Sequence, residues 1–191
     1  MQSEKKAKDL RPQLERAQGD ATAGAKDGDV TMVIFHDHNC GFCKRSIPDV
    51  VRLLDEDKKL RVVVKDFPIL GPLSVEKAKA SIAVAKLAPD KWVEYYKDNA
   101  QDNPQTVEQV IDMVSKRIGI DPNLLRSEME SKETLNKISE NHALGEQLEI
   151  QGTPVFVING NVVRGAAGYD AFKQMIAEAR AENGKPDSIK K

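Results

Sequence analysis

Residues 30–67 read apolar strand, amphipathic helix, apolar strand with few residues between them, and that order leaves few folds open. The stretch 30-VTMVIFHD-37 is β-branched and apolar and follows Gly28-Asp29, the signature of a buried strand. In 43-CKRSIPDVVRLLDE-56, Ile47, Val50, Val51 and Leu54 share one helical face, with Pro48 expected to kink the helix near its first turns. A second strand reads at 60-LRVVVKDF-67. One helix crossing between two strands makes them parallel, a βαβ unit.

The rest of the chain sorts around that unit. Residues 73–149 carry helical patterns throughout: Val75, Ala78, Ile82 and Ala85 form a stripe behind Ser74 as N-cap. Thr106 and Gln109 can make a capping box, Gly119 stops that helix, and Asp121-Pro122 starts another. Strands return in 154-PVFVI-158 and 161-NVVRG-165 around Asn159-Gly160, a two-residue hairpin signal. A closing helix, 169-YDAFKQMIAEAR-180, puts Phe172, Ile176 and Ala179 on one face. The expected division is an N-terminal arm at 1–29, a core of 30–72 and 150–181, a helical insert at 73–149 and a loose tail at 182–191. In the arm, Ala7, Leu10, Leu14 and Ala17 form a short stripe broken by Pro12, suited to fraying or to self-association into a homo-oligomer.

Composition narrows the function. A net charge of −1 without a basic block gives no nucleic-acid surface. No apolar run approaches the roughly 20 residues of a membrane span, and the first residues lack the apolar centre of a secretory signal. The chain therefore reads as cytosolic or as a mature exported protein.

The chemistry concentrates in 36-HDHNCGFCKR-45, which holds His36, His38 and both cysteines of the chain, Cys40 and Cys43. As a structural staple this pair is poor, because so short a loop gives only about 2 kcal/mol. Cys40 follows a strand and opens a helix, where free backbone N–H groups and the helix dipole favour a thiolate. Cys40 is then the exposed nucleophile and Cys43, one turn inside, the resolving thiol. The rival reading is a non-catalytic copper or zinc site built from His36, His38, Cys40 and Cys43. Zinc ligand pairs usually come from separated loops, and the other histidine, His142, reads as a partly buried core residue beside Leu135 and Ile138.

Three segments, 28-GDVTMVIFHDHNCGFCKRSIP-48, 65-KDFPILGP-72 and 152-GTPVFVINGNVVRG-165, together resemble the DsbA-like thioredoxin-fold thiol–disulfide oxidoreductases, most closely the ScsC and Com1-like branch. The resemblance spans about residues 28–180. It implies an α/β thioredoxin fold (β-α-β … β-β-α) with an inserted helical subdomain. It also implies protein substrates, a membrane redox partner, a periplasmic location, and no cofactor beyond the Cys40–Cys43 dithiol. It makes Thr153-Pro154 a cis peptide against Cys40 that offers backbone to the substrate. A proline at a strand's start agrees with that placement, and X–Pro is the bond where cis costs least. Two departures stand out. Relatives carry a buried glutamate that handles the inner thiol's proton where this chain has Ile34; Asp37 is the nearest acid that could substitute. Gly41-Phe42 replaces the Pro-His of DsbA, which implies a less oxidising dithiol, with His38 compensating. Oxidase, isomerase and reductase all use such a site.

Overall fold

β-branched runs flanked by a single crossover helix do fold as a parallel pair, and the rest of the sheet grows from it. A computed structural model describes residues 2–185. In chain order α1 (Gln2–Asp9), α2 (Arg11–Arg16) and β1 (Ala21–Gly24) precede β2 (Val30–His36), α3 (Gly41–Glu56) and β3 (Leu60–Asp66). The helical segment comprises α4 (Pro72–Leu87), a short 3-10 turn, α5 (Trp92–Asp102), α6 (Val107–Ile118), α7 (Pro122–Met129) and α8 (Lys132–Gln147). The chain returns through β4 (Val155–Ile158), β5 (Asn161–Arg164) and α9 (Tyr169–Asn183). The sheet order is β1-β3-β2-β4-β5. β2 and β3 are parallel, with His36 opposite Asp66, and the other pairings are antiparallel.

Side chains alternate across a strand, so each face of the sheet takes its own layer. Met32 and Ile34 of β2 join Ile47, Val50 and Leu53 of α3 and Phe172 and Ile176 of α9 in one core. Val33 and Phe35 point the other way, into a second core with Ala7, Leu14, Leu144 and Leu148. Phe67 belongs to that second layer, and its ring lies where a side chain on Gly145 of α8 would have to go.

The arm departs most from its expected form. It does not fray: Ala7 and Leu14 are fully buried against the chain's own sheet, with Leu10 half-buried beside them. Charge fixes it further. Lys65 of β3 donates to the Asp20 carboxylate at 2.6 Å and to the Gln13 carbonyl at 2.8 Å, and Lys137 of α8 approaches Asp20 at 3.3 Å. β1 went unread because Ala-Thr-Ala-Gly is short and poor in strand-forming side chains; it pairs along the edge of β3 and buries Ala21 in the core. Gly24 is required there, with φ +79° and the Leu60 carbonyl against the place of any Cβ. Ser74 is not an N-cap, since α4 already starts at Pro72 and Ser74 lies buried inside it. Pro48 is carried within α3. Leu135 is exposed, while His142 packs its ring 4.8 Å from Phe67. The Asn159-Gly160 hairpin forms as read, with φ 52° and 81°. Of the tail, residues 182–183 complete α9 and 186–191 lie outside the described residues.

Candidate active site

β2 ends at His36 and α3 begins at Gly41, so the intervening loop delivers Cys40 to the helix N-cap. There its sulfur accepts the Cys43 backbone N–H at 3.4 Å. That is the bond a helix N-terminus offers an anion or a polar cap. Both cysteines are free thiols. Cys40 keeps 7% of its surface exposed and Cys43 none. Burial pushes the Cys43 thiol far above the ordinary cysteine range, with Thr153 opposing only in part. Cys40 is therefore less open than its sequence position suggests, but the two residues still differ in access, Cys40 keeping a small exposed edge and Cys43 none.

Thr153 and Pro154 come to the same place from the other end of the chain. Their peptide bond is cis, and the Thr153 carbonyl accepts from the Cys40 thiol at 3.6 Å. A shallow cavity of about 430 Å³ opens beside them, lined by Gln151, Gly152, Thr153, Pro154, Arg164 and Gly165 among others. Phe42, between the cysteines, is 67% exposed with the Arg45 guanidinium 4.5 Å from its ring centre. Ile69 and Leu70 are exposed too, on the loop after β3. The cysteines are therefore rimmed by apolar side chains in solvent, an arrangement suited to contact with unfolded chain.

Asp37 does not reach toward solvent. Its carboxylate is buried and accepts from Asn39 N–H and Ser74 Oγ on one oxygen and from Ile69 and Leu70 N–H on the other. It stitches the Cys40 loop to the loop that follows β3. His38 is likewise turned inward: its Nε2 meets Asp66 at 2.7 Å, both groups buried. Asp66 in turn accepts from Ser81, which accepts from the Trp92 indole. Burial raises the Asp66 carboxyl, and His38 opposes it. His38 Nε2 is thus committed to Asp66, and the His36 and His38 rings stand edge-on at 4.4 Å. Among the described residues, no group of three His, Cys, Asp or Glu side chains is placed to hold a metal ion.

Several site residues were not read from the sequence. Lys77 of α4 is buried with its Nζ 3.0 Å from the Asn39 side chain, one residue before Cys40, and burial holds its ammonium down to about 8. Asn99 of α5 donates to the His38 carbonyl. Asp66 carried a signal: once β2 and β3 are parallel and in register, it must sit beside His36 at the active-site end. The α4 and α5 residues carried none, because nothing local says which helix covers the cysteines.

The thioredoxin family model matches residues 16–178. Disulfide bond formation protein D of Bacillus subtilis is 25% identical over 168 residues, covering 83% of this chain and 76% of that protein. Among solved structures, the thiol-disulfide exchange protein alpha-DsbA2 of Wolbachia pipientis superposes with a TM-score of 0.85 at 24% identity, covering 92% of this chain and 95% of that one. The catalytic domain of Proteus mirabilis ScsC gives a TM-score of 0.83 at 24% identity, with 93% and 98% covered. The chain belongs to the thioredoxin family.

Proposed function

We propose that the protein forms disulfides in protein substrates, with Cys40 as the nucleophile, Cys43 as the resolving thiol, and Thr153-Pro154 as the edge that receives the substrate chain. The observation that carries this reading is the inequivalence of the thiols: Cys40 caps α3 with a surface edge, and Cys43 is sealed. In the oxidised state a substrate thiolate opens the Cys40–Cys43 bond at Cys40, and the mixed disulfide is then displaced by the substrate's second thiol. The oxidase role is preferred over isomerase because Ala7 and Leu14 of the arm's apolar stripe are taken up by the chain's own fold, which weakens the case for a multivalent cleft. The name disulfide bond formation protein D, borne by the Bacillus relatives, supports the same choice. The reading places the protein in an oxidising compartment outside the cytoplasm, such as a periplasm, with a membrane redox partner to reoxidise it. Gly41 and Phe42 set the rim and the redox poise of the dithiol.

Trapping tests this directly. Cys43→Ser should accumulate mixed disulfides with reduced, unfolded protein on non-reducing gels, and Cys40→Ser should not. Iodoacetamide should modify Cys40 alone in the folded protein. Equal trapping by both variants would overturn the assignment, and rapid repair of scrambled disulfides without disulfide formation would replace oxidase by isomerase.

A further inference from the structure

The sealed Cys43 thiol poses a problem in acid–base chemistry. To attack or leave at the Cys40 sulfur it must change protonation, yet it has no surface for solvent to reach. Both neighbouring carboxylates are committed, Asp37 to four donors and Asp66 to His38 and Ser81. Against that background, five buried polar atoms without a hydrogen-bond partner among the described residues gather in one place. They are Nδ1 and Nε2 of His36, Nδ1 of His38, the Tyr96 hydroxyl and Oδ1 of Asn99. Buried polar atoms are nearly always paired, and an imidazole bare at both nitrogens is costly where a phenyl ring of similar shape would not be.

Placement brings this cluster to Cys43. Met32 and Ile34 put the even positions of β2 on the face that α3 covers, and His36 is the last of that row. Cys43, Ile47 and Val50 form the buried stripe of α3, and Cys43 is its first member. The two residues therefore close the same interlayer space at its active-site end. Tyr96 of α5 closes it from the side, its ring 5.0 Å from that of His36, and a Cys43 thiolate adds to the burial that keeps the phenol protonated.

We propose that His36 is the proton-transfer group for Cys43, with the Tyr96 ring as its edge-on neighbour. This rests on the thiol-exchange reading above. In resolution of a mixed disulfide, the Cys43 thiol gives its proton to the bare nitrogen of neutral His36. The Cys43 thiolate forms a bond to Cys40 Sγ, and the substrate sulfur leaves with the electron pair of the broken bond. The two cysteines are oxidised by two electrons and the substrate disulfide is reduced. When a substrate thiolate opens the Cys40–Cys43 disulfide instead, Cys43 leaves as thiolate and takes up a proton from solvent by way of His36, which returns to its neutral form. Burial, reinforced by His38 and Lys44, keeps His36 uncharged and so keeps a nitrogen bare. The charged and titratable groups around His36 and its ring partners are His38 and Asp66 from the strand ends, Lys44 from α3, Tyr96 from α5 with Cys43 acting on it, and Tyr95 against His38.

The test separates the two thiol steps. Reduced protein mixed with glutathione disulfide forms a Cys40–glutathione mixed disulfide, and quenched-flow chromatography follows release of the second glutathione as Cys43 resolves it. His36→Phe should slow resolution about 100-fold near pH 7, the usual scale of a lost proton-transfer group. It should leave formation of the mixed disulfide within about two-fold, and its resolution rate should climb with pH as hydroxide substitutes. A folded His36→Phe protein that resolves at the wild-type rate with the wild-type pH profile overturns the proposal. Should His36→Phe fail to fold, His36→Gln is measured in its place and an unchanged rate is equally decisive. Absence of any mixed disulfide in the wild type would overturn the functional reading and this one with it.

Discussion

Asp37 shows how a residue beside a reactive group can also serve the architecture. It lies three positions before Cys40, close enough in sequence to be read as the acid for the inner thiol. Its two oxygens instead take four donors and tie the Cys40 loop to Ile69, Leu70 and Ser74. Asp37→Asn must turn an amide N–H₂ toward one pair of donors. Guanidinium unfolding should show a loss of about 2 kcal/mol, while the pH profile of Cys43 resolution keeps its shape. A shifted profile at unchanged stability would return the proton-handling role to Asp37. At this scale the site was legible where its residues are adjacent in the chain. Cys40 and Cys43 share one helical turn, and Thr153-Pro154 stands before a strand. It was illegible where partners are distant: Ser74 lies 37 residues from Asp37, and Asp66 lies 28 from His38. No local pattern encodes those pairings.

Among elements, α1, α2 and β1 look dispensable by sequence and are built in by structure. Strand and helix periodicity made β2, α3, β3 and the β4–β5 hairpin readable, because each buries a face against the sheet. β1 buries only the small side chains of Ala21 and Ala23 beside its backbone pairing with β3, so it left no pattern to read. What anchors the segment is the buried Asp20 carboxylate between Lys65 and Lys137. Burial raises the Asp20 acid and lowers the Lys65 ammonium, each opposing charge holding the other in place. Removing one member of a buried ion pair strands the rest. Asp20→Ala should therefore cost about 4 kcal/mol in chemical unfolding, far more than a surface aspartate. Deleting residues 1–25 strips Leu14 and Ala7 from the sheet and bares the β3 edge. The truncated chain should aggregate or lose its cooperative transition. A clean, fully active truncated monomer would show that the arm is an appendage after all, and a full-length chain that sediments as a dimer would reopen the isomerase reading.

For the molecule as a whole, the active-site end is where stability has been given up. His36 and His38 stack with Tyr95, Tyr96 and Trp92 in a fully buried aromatic cluster whose polar atoms are only partly paired. A core chosen for stability alone would be apolar there, and proton transfer is the reason we assign for its being otherwise. The cost should be visible in pH. The unfolded chain protonates His36 near its ordinary 6.5, whereas burial holds the folded value well below it. Between those values the unfolded state binds the extra proton, so stability falls as pH drops below about 6.5, by up to about 1.4 kcal/mol per pH unit. Asp66 and Asp20 act in the opposite sense. Their raised folded values mean the native state holds protons that the unfolded chain releases above 3.8, and acidification through that interval favours the native state. Comparing wild type with His36→Phe cancels those carboxyl contributions and isolates the histidine. The variant should match or exceed the wild type at pH 7.5 and gain on it steadily toward pH 5 in guanidinium unfolding, while resolving its mixed disulfide more slowly. A stability difference that stays constant over that range would mean His36 takes up protons equally in the folded and unfolded chain, and a group so accessible to protons would have no need of the sealed site that surrounds it.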